Sequence, residues 1–282
     1  MPELPEVETI VRTLRPGLIG RRIVGADVRW PRSIAAPLPR QFKHDVQDQV
    51  IQDVSRRAKF LHIRLSRSHL FVHLRMSGDL LIKAGRPRPE KHDRLILQLA
   101  PASQLDGSPT SAEDSGVTTS LIFNDTRKFG RVWLTDQAET VTGTLGPEPL
   151  GAEFTADVLH AKLHARRRHL KPLLLDQTFL AGLGNIYTDE ALHIARLHPL
   201  KASDTVTRPQ AERLHAAIQS VLTEGIRRNG ASIDWVYRGG DFQNHFRVYD
   251  REGEECPVCG TRIRRIVIGQ RGTHVCSRCQ RI

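Results

Sequence analysis

All four cysteines of the chain fall near its C-terminal end, in the pattern Cys256-x2-Cys259-x16-Cys276-x2-Cys279. Each C-x2-C pair suits a tight knuckle that points two thiolates at one metal ion, and the spacer suits a β-hairpin joining the knuckles. This is the spacing of a tetrahedral zinc site with four cysteine ligands. The alternative is two disulfides, which a reducing cytosol disfavours. Four thiolates fill the tetrahedron and leave no position for a catalytic water, so one structural Zn2+ is expected. His274, beside Cys276, is then surplus as a ligand and is expected to lie at the surface or to serve the hairpin. The same segment has no Asp or Glu between Cys256 and Ile282 but carries Arg262, Arg264, Arg265, Arg271, Arg278 and Arg281. A clamped hairpin of this charge is suited to contacting phosphates. A merely solubilising basic tail would need no fixed geometry.

The charge of the whole chain points the same way. Its 282 residues include 42 Lys and Arg against 31 Asp and Glu, a formal net charge of +11. That surplus implies a polyanionic partner but does not choose among DNA, RNA and anionic lipid. The 39% hydrophobic content is too high for a disordered chain. No run of about 18 apolar residues exists to span a bilayer, so no membrane role is expected. The start, MPELPEVET, has no basic and apolar signal pattern, which predicts a cytoplasmic protein.

Periodicity divides the rest. Val7, Ile10, Val11 and Leu14 form an i, i+3, i+4, i+7 stripe after Pro5, predicting a short helix over 6–15. From about 21 to 135 the pattern becomes short alternating runs: KFLHIRLS (59–66), HLFVHLRM (69–76), RLILQLA (94–100), TTSLIFND (118–125) and GRVWLT (130–135). Six to eight such strands without intervening helices imply an antiparallel sandwich or barrel. Residues 101–117 read as a loop and 136–154 as an interdomain linker. Helical spacing returns over 155–229, and the cysteine module follows a Gly-rich stretch. The expected architecture is multidomain α+β: an N-terminal antiparallel β-sandwich with its helix (1–135), the linker (136–154), a helical domain (155–245) and a zinc ribbon (246–282).

MPELPEVET (1–9), RRAKF (56–60), HLRMSG (73–78), DTRKFG (125–130), GLGNIYTDEAL (182–192) and the ribbon occur in that order. Together they resemble the formamidopyrimidine-DNA glycosylases, bacterial base-excision repair enzymes, over the whole chain. The sister branch, the endonuclease VIII-like glycosylases, usually starts PEGPE. Leu4 and Val7 place this chain with the first branch. The resemblance implies a bifunctional DNA glycosylase/AP lyase that excises oxidised purines such as 8-oxoguanine and formamidopyrimidines. It implies a helix–two-turns–helix in the helical domain and DNA in a basic cleft between the domains. A monomer acting on double-stranded DNA at the nucleoid is expected. The alternatives are an endonuclease VIII-like preference for oxidised pyrimidines and a catalytically silent lesion-binding protein.

The residues support that chemistry. An α-amine ordinarily titrates near ~8 against ~10.4 for a Lys amine, so it is more often neutral and nucleophilic at pH 7. Removal of Met1, favoured by a small following residue, exposes Pro2. Its secondary amine can attack C1′ of a deoxyribose and form a Schiff base, an electron sink for β- and δ-elimination. Glu3 is placed to act as general acid/base, and Glu6 either supports it or favours the helix N-terminus. Lys59 matches the family's active-site lysine. The target base must leave the duplex and its void must be filled. Met76, Arg127 and Phe129 match the family's three void-filling residues: an apolar wedge, an Arg for the orphaned cytosine and a stacking ring. Thr126, Lys128 and Arg75 depart from the family's commoner Pro, Arg and Gly. Gly182 and Gly184 are read as allowing close phosphate approach, with Lys171 and Asn185 as DNA contacts beside them; for Asn185 the alternative is a plain cap of the next helix. Arg271 matches the zinc-finger arginine that grips phosphate. His92 is a further phosphate-contact candidate, and residues 229–243 lie where the family keeps a loop over the flipped base.

Overall fold

The stripe of Val7, Ile10, Val11 and Leu14 forms a helix longer than predicted, α1 (Leu4–Leu18). Its extra first turn has a local cause: the Glu6 carboxylate accepts the Glu3 N–H at 2.7 Å, one half of a capping box. Pro5 sits in that first turn, where a missing N–H removes no helical bond. The computed structural model describes residues 1–101, 118–232 and 239–282. The predicted 101–117 loop therefore lies, except for Pro101, outside the described residues, as does 233–238 of the expected base-covering loop.

The described chain forms two compact units. One comprises residues 1–2 and 7–143, the other 3–6, 144–232 and 239–282. The first unit holds β1 (Arg21–Val28), β2 (Ile34–Ala36), α2 (Pro39–Val46), β3 (Ile51–Arg57), β4 (Phe60–Leu65), β5 (His69–His73), β6 (Gly78–Ala84), β7 (Asp93–Pro101), β8 (Thr119–Asp125), β9 (Arg131–Thr135) and the single turn α3 (Glu139–Thr142). The strands make a four-stranded sheet, β1-β7-β8-β6, and a five-stranded sheet, β2-β9-β5-β4-β3. Every pairing is antiparallel except one: the short edge strand β2 runs parallel to β9. Alternating residues of both sheets meet in one core with Val7, Ile10, Val11, Leu14 and Leu18. Burying that stripe is what fixes the helix, since a short isolated helix is marginal in water.

The second unit holds α4 (Ala156–His164), α5 (Leu170–Leu174), α6 (Asn185–Ile194), α7 (Arg208–Arg227) and the hairpin β10 (Arg264–Ile268) to β11 (Arg271–Val275). Its core gathers Leu4 with Phe154, Leu173, Leu183, Tyr187, Leu214 and Ile218. The segment 136–154 is tied down at its end: Gly146 N–H donates to Gln177 and Phe154 is buried in the helical core. The ribbon belongs to the same compact unit as the helices.

Candidate active site

Pro2 is buried in the first unit, and the Glu3 that follows it belongs by its contacts to the second. Glu3 is 3% exposed. One carboxylate oxygen accepts the Gly184 N–H at 2.7 Å and the other the Ile186 N–H at 3.0 Å. The carboxylate thus takes the anion position at the N-terminus of α6, where unpaired N–H groups and the helix dipole favour negative charge. Glu6 is equally buried. Besides bonding Glu3 N–H, it accepts the Tyr187 hydroxyl at 2.7 Å and the Ala231 N–H at 2.8 Å. It holds the Glu3 backbone in place, which is the supporting role.

This arrangement corrects the reading of GLGN. Gly184 is required because a Cβ there would lie 2.3 Å from the Glu3 side chain, and Gly182 because its φ is +87° with Leu4 against it. Both glycines make room for residues 3 and 4 of the chain. Asn185 is not the cap of α6. Gly184 occupies that position, and the Asn185 Nδ2 donates instead to the Gly272 carbonyl at 3.0 Å.

Lys171 is a second correction. It is fully buried, with its ammonium 2.6 Å from Asp189 and donating to the Gly272 carbonyl at 3.0 Å. It offers no exposed charge. Burial pulls its pKa below the ordinary lysine value, against the pull of Asp189; Glu3 raises it and Arg271 lowers it, so both lie within electrostatic reach. Asp189 also accepts the His274 N–H at 2.9 Å. Its neighbour Glu190 accepts the N–H groups of Arg247, Val248 and Tyr249 at 2.8–2.9 Å. Burial pushes the Glu190 carboxyl up, and those three bonds oppose the rise.

The ribbon carries the metal ligands as expected. The four Sγ atoms lie within 4.8 Å of one another, and the cysteines are not disulfide-bonded. Cys256–Cys279 and Cys259–Cys276 are 3.9 and 3.4 Å apart. Tetrahedral Zn–S bonds of about 2.3 Å put sulfurs about 3.8 Å apart, so the donor set fits one zinc. His274 is not a ligand; it is buried against Asp189 and the edge of Tyr249. His193 Nε2, at the end of α6, lies 3.4 Å from Cys256 Sγ. Burial, helped by Arg247, Arg196 and Arg251, lowers the His193 pKa. The β10–β11 turn has Gly269 and Gln270 both at positive φ, the backbone of a two-residue type I′ hairpin. It delivers Arg271, exposed, at the start of β11.

In the first unit Lys59 lies in the two-residue turn between β3 and β4 and is 5% exposed. His73, at the end of β5, is depressed to about 3, first by burial and then by Arg75 and Lys59. Met76 is 41% and Phe129 48% exposed, which removes core packing as their explanation. Met76 lies between β5 and β6, and Arg127 and Phe129 lie between β8 and β9. The Arg127 guanidinium stands 5.1 Å from the Phe129 ring centroid. Arg75 and Lys128 both have positive φ, 56° and 62°, so the commoner Gly at position 75 would sit there without strain. His92 is partly exposed, with Nδ1 3.2 Å from Arg94.

Sequence reasoning missed Asp125, Ser77, His73, Asp189 and Glu190. For the last two a signal existed. Ile186, Tyr187, Ala191 and Leu192 surround α6 on all sides, which marks a buried helix whose acids must be paired.

Residues 1–132 match the family model described as the formamidopyrimidine-DNA glycosylase N-terminal domain, 145–236 the H2TH domain of the same enzymes, and 253–282 a zinc finger found in FPG and IleRS. The chain is 42% identical to the formamidopyrimidine-DNA glycosylase of Pelotomaculum thermopropionicum, covering 100% of both chains. It is 44% identical to that of Chloroflexus aurantiacus, over 99% of this chain and 98% of the relative. Among solved structures it is similar to a Lactococcus lactis FPG mutant in complex with Fapy-dG-containing DNA, at 34% identity and a TM-score of 0.88 over 100% of both chains. A complex of MutM with DNA containing carbocyclic 8-oxo-G gives the same TM-score and identity, again over 100% of both chains.

Proposed function

The chain belongs to the formamidopyrimidine-DNA glycosylase family, and from that membership we propose how its own residues carry out excision of oxidised purines and cleavage of the abasic strand. Loss of Met1 frees the Pro2 amine. Its lone pair attacks C1′ as the bond to the damaged base breaks, the amine's proton passing to the departing base, and Glu3 gives a proton to the ring oxygen as the sugar opens to the iminium. The iminium accepts the electron pair left when the C2′ proton is lost, which expels the 3′ phosphate by β-elimination, and loss of the C4′ proton then expels the 5′ phosphate by δ-elimination. Lys59 contacts the phosphate and base region, and Arg271 grips a phosphate. Met76, Arg127 and Phe129 fill the void, with His92 as a further backbone contact. The four cysteines hold one structural zinc, which supplies rigidity rather than chemistry. The protein acts as a monomer in the cytoplasm, on the nucleoid.

The observation that carries this reading is the Glu3 carboxylate, fixed by the Gly184 and Ile186 N–H groups one residue from Pro2. An N-terminal loop without a task would have no need of that anchoring. The test is borohydride trapping on duplexes bearing 8-oxoguanine, formamidopyrimidine or thymine glycol. Met-processed wild type is expected to form a covalent adduct with the oxidised purines, and Pro2→Gly is expected to weaken or abolish it. No adduct from the wild type would refute the amine mechanism. Preferential trapping on thymine glycol would move the substrate to oxidised pyrimidines.

A further inference from the structure

The two turns that carry Met76, Arg127 and Phe129 are separated by about fifty residues of sequence yet share one buried side chain. Asp125 is 1% exposed at the end of β8. Its Oδ1 accepts the Ser77 hydroxyl at 2.5 Å and the Arg127 N–H at 3.1 Å. Its Oδ2 accepts the Gly130 N–H at 2.8 Å. Ser77 follows Met76 directly, and its hydroxyl oxygen also accepts the Arg127 N–H, at 3.1 Å. The carboxylate therefore closes the 125–130 turn across its mouth and bolts it to the turn after β5. The Asp125 backbone adds a third attachment. Its N–H donates to the His92 carbonyl at 2.9 Å, and its carbonyl accepts Arg94 Nε at 2.7 Å. On the far side, the Lys128 ammonium stands 4.2 Å from the centroid of Trp30.

Three donors converge on two oxygens here. Only a carboxylate offers acceptors on both sides; an amide would turn an NH2 toward one donor set. We propose that Asp125 is a positioning residue that sets the wedge Met76 and the pair Arg127–Phe129 as one preassembled insert, so that entry into the duplex carries no further ordering cost. This rests on the void-filling reading given under Proposed function. The benefit is specific to substrates that still have a base to unstack, since an abasic site has none.

The experiment compares Asp125→Asn and Ser77→Ala with wild type in three measurements. These are single-turnover excision of 8-oxoguanine, cleavage of a preformed abasic site, and the fluorescence of 2-aminopurine beside an 8-oxoguanine, which reports disturbed stacking on insertion. Asp125→Asn is expected to slow excision at least tenfold while abasic cleavage stays within about threefold and the 2-aminopurine change shrinks. Ser77→Ala, which removes one bolt and leaves the turn closure, is expected to act in the same direction by roughly threefold. Equal losses in excision and abasic cleavage would mean a general folding role and overturn the proposal. So would excision and 2-aminopurine signals unchanged in both variants. If Asp125→Asn fails to fold, Ser77→Ala decides alone. Failure of the wild type to excise 8-oxoguanine would refute the underlying reading instead, and the proposal with it.

Discussion

In the first unit Met76 and Phe129 stand 41% and 48% exposed on turns held by hydrogen bonds to the buried Asp125. In the second unit Lys171, Asp189 and Glu190 are at most 1% exposed and every bond they make is internal. One unit uses polar bonds to hold working side chains out; the other uses charges to hold chain segments together. Glu190 fixes three successive N–H groups at 247–249, ahead of the cysteines, and Asp189 and Lys171 fix the chain at Gly272 and His274 behind the hairpin turn. Arg271 thereby sits directly before an anchored stretch, Gly272 to His274. The difference teaches that in a basic DNA-repair protein a charged residue inside a recognisable motif is not automatically a phosphate contact. Burial and partner decide.

The sharpest break between the units should come from the metal. Binding of a structural zinc by such a cluster is worth of order 10 kcal/mol, and it is folding energy for the module that holds it. Chelation, or Cys256→Ser, is expected to release one zinc per chain and to strip amide-exchange protection from residues 256–282. Protection in β3–β5 of the first unit should persist. Retained protection in a metal-free ribbon would show that the buried carboxylates alone suffice.

Next in size is Lys171→Met, which leaves Asp189 buried without its cation. Breaking a buried pair from one side typically costs about 3–5 kcal/mol. Adding Asp189→Asn should recover part of that loss, because the amide oxygen can still accept the His274 N–H. Urea unfolding of the two single variants and the double variant measures the coupling. A loss under about 1 kcal/mol for Lys171→Met would show that the pair is not holding the ribbon.

A smaller effect in the first unit depends on pH. His73 in the first unit is held neutral, its pKa lowered to about 3 from 6.5. The unfolded chain binds this proton more readily, so the contribution is fully present above pH 6.5 and is lost as pH falls toward 3. Linkage makes the loss roughly 3 kcal/mol by about pH 4.5. His73→Phe keeps an aromatic ring against Phe60 and removes the titration. Its stability should fall less steeply between about pH 7 and 4.5 than that of the wild type. Parallel pH profiles for the two proteins would contradict the buried neutral state.

The parts legible in the sequence are those set by local spacing. The zinc ligands follow from two short intervals, and the helix and strand faces follow from their periods. The exposed insertion residues follow from turn signals such as Ser77-Gly78 and the family match. What is misread depends on partners far along the chain. Lys171 looks like a surface cation until Asp189 and Gly272 are brought against it, and Gly184 looks like a phosphate-binding glycine until Glu3 fills the space. Asp125 escapes notice for the same reason: its partner Ser77 is 48 residues away. The first helix reads as short because Pro5 looks like a boundary, whereas Glu6 bonding back to Glu3 carries the turn further.

The smallest expected effect on stability sharpens the comparison most. Phe129→Ala and Met76→Ala remove side chains that are largely in solvent, so each should stay within about 0.5 kcal/mol of the wild type in urea unfolding. Excision of 8-oxoguanine should nonetheless fall by roughly one to two orders of magnitude, since the void left by the flipped base would be filled less well. Removing a side chain from the second unit's buried set would do the reverse, with stability lost first and activity falling only as far as the ribbon is displaced. Loss of more than about 1.5 kcal/mol in Phe129→Ala would mean that the exposed ring is part of the core after all. Retention of full excision by both variants would leave the first unit's turns without a task, and the contrast between displayed and buried residues would then carry no functional meaning.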